Sequence, residues 1–387
     1  MRILYAALDQ QVPGTLGGSV HVQAVAEGLA ALGHEVHVAT TPGGPWPSGS
    51  VHWHAMSSPL GRHELRWLRA RSLTHLARRA GAEVVIERYY NFGGEGVMAA
   101  TRLGIPAVLE VNAPIIDYPG SLKARVDRTL LFEPMRRWRD WLCRQTDLFV
   151  TPSADILPEW VERSKVLEAE WGADVDHFRP GAAGPLPFDR DPNRVLCVFA
   201  GAFRSWHGVT QLSASLARLH AQGEHRLSAV FIGDGPERAS AERAARGVPG
   251  ITFTGAVPHS QLPQCLAAAD IGVAPFDADR HKPLSLGFYW SPLKIFEYMS
   301  SGLPVVAPRL PRVASLIEDG TEGLLYDPAD PRTLDDTLVR LTDRSLRGRL
   351  GNAARIRAVA QYSWRAHCAM LDERLRALAR TRAGAHR

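Results

Sequence analysis

A lysine and a glutamate stand three residues apart near the start of a predicted helix in the second half of the chain. Ser291 suits the N-cap of this helix, predicted over Pro292–Ser300, and Pro292 suits its first position. Lys294 then lies in the first turn, where the helix dipole disfavours a cation by a few tenths to about 1 kcal/mol. A cation there indicates a nearby anion. Glu297 shares its face, and in a chain with only four lysines we favour one ligand for both side chains over a surface ion pair.

Two loop segments carry further groups that could bind an anion. Gly17 and Gly18 follow the first predicted strand and open an amphipathic helix with Ser19 as its N-cap, so backbone N–H groups can approach a phosphate. Arg204 and His207, in the segment GAFRSWHG, follow a strand of the second half. Each segment also has an ordinary interpretation: a βα turn for the glycines, and a solvated arginine with a packed Trp–His pair for the second. The sequence leaves these alternatives open.

Three Asp-x-Asp pairs are the candidate metal ligands. They are Asp174–Asp176, Asp189–Asp191 and Asp277–Asp279. Three occurrences in one chain show how little the pattern specifies, and only the third follows a predicted strand. The four cysteines form no CxxC pair and predict neither a zinc site nor a disulfide framework. We therefore expect neither a metal nor a cofactor.

Strands and helices alternate along both halves of the chain. Apolar runs such as Arg2–Leu8 are followed by helical stretches, and such alternation predicts parallel sheets covered by helices on both faces. Four prolines and two glycines between Pro180 and Pro192 interrupt the pattern and predict a linker. We therefore predict the α/β class, with two Rossmann-like parallel-sheet domains that face a cleft. Ligands of such sheets bind at the carboxyl ends of the strands.

Composition and charge narrow the function classes. The chain has 387 residues, of which 45% are hydrophobic and 22% charged, which is typical of folded globular proteins. Its net charge of +5 suits an anionic small molecule or a membrane surface, but without a dense Lys/Arg tract it does not favour nucleic acid. No apolar stretch approaches the roughly 18 residues of a membrane span, and the run Ile3–Leu8 is too short for a signal peptide. We expect a cytoplasmic protein.

Taken in order, these segments resemble the family-4 glycosyltransferases of the GT-B fold, also called glycosyl transferases group 1. The resemblance runs from Arg2 to about Arg380. Its most specific parts are GGSVHVQAVAEGLAALGHEVHVAT, VFIGDGPER, ITFTGAVPHSQLPQCLAAADIGVAPF and SPLKIFEYMSSGLPVVAP. The WHG and SPLK-FEYM segments are similar to those of a recurring variant subgroup.

The resemblance implies an activity and a division of the chain. Residues 1–180 would form an acceptor-side domain, 181–193 a linker, 194–362 a nucleotide-sugar-binding domain, and 363–387 a helix that packs back on the first domain. The implied reaction is the retaining transfer of a hexose-type sugar from a UDP-, GDP- or dTDP-sugar. The acceptor would be a hydroxyl or amine of a small molecule, lipid or glycan. A front-face reaction in which the leaving phosphate takes the acceptor's proton needs no enzymic nucleophile.

The resemblance also implies roles in donor binding. Glu297 would bind the ribose hydroxyls, the Val257 backbone would meet the base, and Ser291 would belong to the same site. Backbone N–H groups near Leu293 and Lys294, with Gly17 and Gly18 opposite, would hold the diphosphate. The list of implied catalytic groups, which stabilise the leaving diphosphate, is Lys294, Arg204 and His207. Three positions of the donor site depart from the family pattern: Tyr289 stands where a first glutamate is usual, and the usual arginine and lysine of the phosphate clamp fall near Ala202 and His207.

The acceptor side is less specific. Asn112 stands where many members carry a histidine, and it can orient a hydroxyl but cannot act as a base. Glu87 and Tyr89, with Tyr90, end a strand and would face the acceptor. A basic helix with tryptophans, predicted over Leu122–Arg144, suits peripheral contact with the inner membrane face. The ordinary interpretation, core packing beneath a solvated arginine face, is the one we favour for that helix.

Two other functions stay open at this point. A sugar-nucleotide epimerase can share the GT-B scaffold and would convert the donor without an acceptor. A non-catalytic sugar-nucleotide-binding protein is the second, because Tyr289 replaces a glutamate of the family pattern. Incubation with donor alone separates the first, and binding without turnover over an acceptor panel separates the second.

Overall fold

The computed structural model describes residues 1–14, 16–89, 92–130 and 132–385. The chain forms two α/β units. Unit 1 comprises Met1–Gly172, Tyr289–Ser291 and Trp364–Arg387, and unit 2 comprises Ala173–Phe288 and Pro292–Ser363. The division falls at residues 172–173, so the proline- and glycine-rich segment 181–193, predicted as a linker, lies within unit 2.

Unit 1 is built on a seven-stranded parallel sheet. Its strands are β1 (Arg2–Val12), β2 (Glu35–Pro42), β3 (His52–Ala55), β4 (Val84–Tyr89), β5 (Ala107–Val111), β6 (Leu148–Thr151) and β7 (Val166–Glu168), in the spatial order β3-β2-β1-β4-β5-β6-β7. Residues 3–8 of β1 are completely buried, as expected for a parallel strand that is covered on both faces. The predicted α/β class is confirmed for this unit.

The helices of unit 1 cover that sheet. With numbering in chain order, they are α1 (Gly17–Ala31), α2 (Ala70–Arg79), α3 (Glu95–Leu103), α4 (Leu122–Leu130), α5 (Pro134–Gln145) and the C-terminal α13 (Trp364–Ala385). Helix α13 packs on α1: His34 Nε2 lies 2.7 Å from Asp372 Oδ1, and a Cβ at Gly28 would lie 2.4 Å from Cys368 Sγ. The chain therefore returns to unit 1 at its C-terminal helix.

Two helix predictions in unit 1 were wrong in detail. Helix α1 begins at Gly17 with Leu16 as its N-cap, so Ser19 lies inside the first turn and does not cap it. The single helix predicted over Leu122–Arg144 is the pair α4 and α5, because Pro134 cannot continue a helix and instead takes the first position of α5. Leu131, between the two helices, lies outside the described residues.

Unit 2 is built on a six-stranded parallel sheet in the order β10-β9-β8-β11-β12-β13. Its strands are β8 (Val195–Ala200), β9 (Leu227–Ile232), β10 (Ile251–Gly255), β11 (Ile271–Val273), β12 (Val305–Pro308) and β13 (Gly323–Tyr326). Its helices are α6 (Val209–Ala221), α7 (Arg238–Ala244), α8 (Leu262–Ala267), α9 (Leu293–Ser300), α10 (Pro311–Leu316), α11 (Pro331–Arg340) and α12 (Arg344–Gln361). The core between them is apolar and includes Phe199, Phe203 and Phe231.

Long apolar helices of the kind that cross a bilayer are not found in the described part of the chain.

Candidate functional site

The candidate site in unit 2 is centred on the first turn of α9. This helix begins at Leu293 with Pro292 as its N-cap, one residue later than predicted, and Lys294 is its second residue. Ser291 does not cap the helix: its hydroxyl lies 2.7 Å from Glu170 Oε2 and accepts a hydrogen bond of 2.9 Å from the Trp171 N–H. All three of these residues belong to unit 1. The N-cap assignment of Ser291 was therefore wrong.

The Lys294 ammonium is buried and makes no hydrogen bond with the described residues. Its Nζ lies 4.1 Å from the centroid of the Phe199 ring and 5.3 Å from that of Phe276. A Cβ at Gly201 would lie 3.3 Å from this Nζ, so the glycine leaves the approach to it open. Burial lowers the pKa of Lys294 to about 7, although the Glu297 carboxylate acts in the opposite direction. A buried amine held only against ring faces needs a physical explanation, and an anionic ligand supplies one.

The loop between β8 and α6 carries two more of the predicted groups, His207 and Arg204. The His207 Nδ1–H donates to the Ala202 carbonyl, and burial together with the Lys294 charge lowers the pKa of His207 to about 3. His207 is therefore a neutral imidazole at neutral pH and does not supply the positive charge that the sequence suggested. The Arg204 side chain is exposed, with its guanidinium carbon 5.9 Å from the Trp206 ring centroid. Arg204 is therefore accessible to a ligand.

Glu297, one turn after Lys294, faces a histidine that the sequence analysis did not single out. Its Oε1 lies 3.7 Å from His259 Nε2, and this carboxylate raises the pKa of His259. The His259 ring in turn packs edge-on against Phe178, with 5.5 Å between the ring centroids. His259 lies two residues after Val257, which is half-buried in the segment that follows β10. Its place within the family-like segment GAVPHSQLPQ was the signal that could have found it.

The glycines at the start of α1 lie beside polar side chains of unit 1. Gly17 is the first residue of α1. A Cβ at Gly18 would lie 2.2 Å from Gln10 Oε1 and 3.2 Å from Arg88 Nη2, so a side chain there would displace the ends of both neighbours. The absence of a side chain at Gly18 thus has a packing reason, in addition to the phosphate contact predicted from sequence.

The structure places the predicted acceptor-side residues in two different environments. Glu87 is fully buried, and its carboxylate accepts hydrogen bonds from the backbone N–H groups of Gly94, Gly96 and Val97, at 2.5, 2.8 and 2.9 Å. These contacts hold the start of α3, and the acceptor-side role of Glu87 stays a prediction. Burial is the main reason that the pKa of Glu87 is raised, with the Glu95 charge adding to it.

The other two predicted acceptor-side residues, Tyr89 and Asn112, each contact polar side chains of unit 1. Tyr89 is buried, with its ring centroid 5.9 Å from Lys123 Nζ, and burial raises its pKa. Asn112 is half-buried: its Nδ2 donates to Glu110 Oε1 at 2.8 Å, and its Oδ1 accepts from Trp171 Nε1 at 2.8 Å. The Asn112 amide is thus held in one orientation. Tyr90 lies outside the described residues.

A buried charged cluster in unit 1 was missed by the sequence analysis. Glu110, on β5, accepts a hydrogen bond from the Tyr5 hydroxyl, contacts His21 Nε2, and lies 3.6 Å from Arg88 Nη1. Arg66 is completely buried and pairs with Asp9 at 3.0 Å as well as with Glu95. The contacts with His21, Arg88 and Tyr5 outweigh burial and hold the pKa of Glu110 well below its usual range. The one signal was a glutamate inside the apolar strand AVLEV.

Known families match both units. Residues 16–171 match the model described as Glycosyltransferase Family 4, and residues 194–344 match the one described as Glycosyl transferases group 1. Among curated relatives, the sulfoquinovosyl transferase SQD2 of Arabidopsis thaliana is 30% identical over 70% of this chain and 53% of its own length. The alpha-D-kanosaminyltransferase of Streptomyces kanamyceticus is 25% identical over 85% of this chain and 86% of its own. The chain thus spans about half the length of the first of these relatives.

Solved structures agree on the fold. A sucrose-phosphate synthase from Thermosynechococcus elongatus superposes with a TM-score of 0.73 at 19% identity, covering 97% of this chain and 98% of that one. HepE from Anabaena, in complex with UDP and glucose, superposes with a TM-score of 0.69 at 14% identity, covering 97% and 100%. At these identities the likeness shows the fold alone, which is GT-B.

Proposed function

We propose that this chain, which is built from a family 4 and a group 1 glycosyltransferase domain of the GT-B type, is a retaining glycosyltransferase. It moves a hexose-type sugar from a nucleotide-diphosphate sugar to a hydroxyl or amine. The observation that carries the proposal is the buried Lys294 ammonium, which makes no hydrogen bond with the described residues and stands at the beginning of α9. The two family matches supply the reaction class, and Lys294 supplies the anion site.

Diphosphate binding explains the position of Lys294. A helix start offers backbone N–H groups that lack partners within the helix, and an anion there interacts favourably with the helix dipole. The N–H groups of Leu293 and Lys294 are in that position. In the proposed reaction negative charge develops on the leaving diphosphate, and the ammonium stabilises it from a site closed to water. Removing one such group raises the activation free energy by about 3–4 kcal/mol in comparable sites.

Glu297 and His259 together suit the ribose. A carboxylate accepts hydrogen bonds from two vicinal hydroxyls, and the raised pKa of His259 keeps a positive charge beside Glu297 into a higher pH range. We propose that His259 orients this carboxylate. Val257, two residues earlier, would then meet the base through its backbone.

We further propose that the reaction needs neither a metal nor a protein nucleophile. Two of the Asp-x-Asp pairs already have local partners: Asp174 accepts from the His177 N–H at 3.0 Å, and Asp277 lies 3.2 Å from the Arg280 guanidinium. The leaving phosphate takes the acceptor's proton in a front-face reaction. Lys294 and Arg204 supply the positive charge, while His207 stays neutral.

The donor is proposed to be a UDP-, GDP- or dTDP-sugar, and the acceptor a small molecule, a lipid or a glycan. The relatives named above transfer sulfoquinovose and kanosamine by their names, and HepE holds UDP and glucose. We propose that the protein works in the cytoplasm with peripheral contact to the inner membrane face. The exposed Leu122, Leu130 and Phe132 beside the basic α4 and α5 support this contact. Co-sedimentation with phosphatidylglycerol vesicles tests it, and no binding would contradict it.

Two ligands and two variants separate the parts of the donor site. Glu297→Gln is expected to weaken UDP about 10–100-fold, the range for a hydrogen bond to a charged group, and to leave inorganic pyrophosphate unaffected. Lys294→Ala is expected to weaken the binding of both UDP and pyrophosphate. Lys282→Ala, which alters an exposed lysine, is expected to weaken the binding of neither. Wild-type affinity of the Lys294 variant for pyrophosphate would contradict the assignment. An epimer formed from donor alone, or tight binding without turnover over an acceptor panel, would contradict the reaction.

A further inference from the structure

Three histidines and a glutamate meet on one face of the sheet edge in unit 1, far along the chain from Lys294 and Glu297. Strands β2 and β3 are parallel, and their register pairs His37 with His52. Because side chains alternate along a strand, Glu35 and His37 share one face of β2, and His52 and His54 share that face of β3. The intervening Val36 and Val38 are completely buried on the opposite face. The edge therefore presents four ligating side chains together.

The distances within this cluster are short. His37 Nε2 lies 3.0 Å from Glu35 Oε1, and His37 Nδ1 lies 3.0 Å from His54 Nε2. The rings of His37 and His52 stack with their centroids 4.7 Å apart. One ligand atom from each of Glu35, His37 and His52 lies within 4.8 Å of the others, and no second group of three such residues is found in the described ranges.

We propose that Glu35, His37 and His52 form a binding site for a divalent transition-metal ion, with Zn²⁺ as the representative case. Imidazole nitrogens with one carboxylate oxygen are a typical ligand set for such ions. Tetrahedral bonds of about 2.0–2.2 Å place ligand atoms about 3.3 Å apart. Rotation of the exposed His52 and Glu35 side chains is sufficient to close the present spacing, with water as the fourth ligand.

His54 completes the site as a positioning residue. A histidine that binds a metal through one nitrogen usually donates its other N–H to a fixed acceptor, which sets its tautomer and ring orientation. The His37 Nδ1 to His54 Nε2 distance of 3.0 Å supplies this contact while leaving His37 Nε2, beside Glu35, for the metal.

A metal bound here would connect two strands that are otherwise joined by only a short ladder. β3 has four residues and is the edge strand, paired with β2 alone. Edge strands with few backbone hydrogen bonds open more readily than central ones. The ion would hold β3 on β2 and thereby restrain the segment 43–51 between them. This role is structural and independent of the proposed glycosyl transfer.

The test is a Zn²⁺ titration of the chelator-treated full chain in competition with a chromophoric chelator. We expect about one equivalent per chain, with affinity at least tenfold weaker in His37→Ala and in His52→Ala, and about tenfold weaker in His54→Ala. His225→Ala is the matched control, since His220 and His225 are also 3.0 Å apart but belong to no such three-residue group. No bound Zn²⁺, or binding that His37→Ala and His52→Ala leave intact, would overturn the site.

Hydrogen exchange tests the connection between the strands without relying on variants alone. In the wild type, Zn²⁺ should slow amide exchange of β3 residues 52–55 and leave β13 unchanged. In His52→Ala, whose side chain is exposed and outside the core, Zn²⁺ should have no effect on β3. Binding of Zn²⁺ with unchanged β3 exchange would overturn the structural role.

Discussion

Replacement of Lys294 by methionine should stabilise the ligand-free protein while removing its diphosphate site. The methionine keeps most of the apolar stem that packs on Phe199 and Phe276 but carries no charge. The pKa of Lys294 falls from 10.5 to about 7 on folding, mainly through burial. Each tenfold change in a proton equilibrium is about 1.4 kcal/mol, so the charged form opposes folding by about 5 kcal/mol at most.

The pH dependence of this gain has a definite sign. Below pH 7 Lys294 is protonated in both states, and the cost of the buried charge is present in full. Between pH 7 and 10.5 the unfolded chain binds the proton more tightly than the folded one, so wild-type stability rises with pH. Lys294→Met should therefore gain about 3–5 kcal/mol at pH 6, with a smaller gain at pH 9.

This gain in unit 2 is measured by urea unfolding at pH 6 and pH 9, with unfolding detected as hydrogen exchange in peptides from β8 and β9. Lys282→Met serves as the control because Lys282 is exposed. In parallel, UDP should raise the melting temperature of the wild type and of the control but not of Lys294→Met. Lower stability of Lys294→Met at pH 6, or an unchanged response to UDP, would refute the reasoning.

Three further predictions follow from the same contacts. Pyrophosphate binding should be accompanied by proton uptake at pH 8, because the bound anion raises the pKa of Lys294 back towards its ordinary value. Calorimetry in buffers of different ionisation enthalpy measures this uptake, and zero uptake would contradict the assignment. His259→Ala should weaken UDP about tenfold and leave pyrophosphate unchanged, since His259 acts only through Glu297; equal losses for both ligands would contradict that role. Glu110→Gln should lower the free energy of unfolding by about 1–3 kcal/mol at pH 7, because it removes one of the two carboxylates beside buried Arg88, the other being Asp9 at 3.5 Å. Urea unfolding measures this loss, with exposed Glu64→Gln as the control, and a loss no larger than that of the control would contradict it.

The sequence predicted the fold class because hydrophobic periodicity is a local signal. Buried parallel strands such as Ile3–Leu8 read as continuous apolar runs, and the glycine-ended helices between them require crossover connections. Helix starts were less predictable. Serine is a frequent N-cap, but the hydroxyl of Ser291 bonds to Glu170 and Trp171, which are about 120 residues away in the chain. Such a competing partner leaves no trace in a local window.

In the candidate site, too, the sequence predicted what depends on neighbouring residues and missed what depends on the tertiary structure. Lys294 was found because a cation at a helix start is locally unusual, whereas its burial against Phe199 depends on a strand almost 100 residues earlier. Glu87 was assigned to the acceptor side because the end of a strand is where ligands usually bind. Only the tertiary structure shows that its carboxylate accepts hydrogen bonds from the N–H groups at the start of α3. The histidines of β2 and β3 were unremarkable until the strand register paired His37 with His52.

If the proposed donor site is correct, a lysine rather than an arginine at position 294 has a consequence for donor binding. An arginine would stay charged when buried, whereas a lysine with a pKa of about 7 can lose its proton when no ligand is bound. Near pH 8 the loss of the proton relieves about 1.4 kcal/mol of the cost of the buried charge, and the rest is relieved as the pH rises towards 10.5. The diphosphate then brings the charge back by favouring the protonated form. Part of the binding energy is used for that protonation, so donor affinity is lower than that of a permanently charged site. The same linkage favours release of the nucleotide diphosphate after transfer.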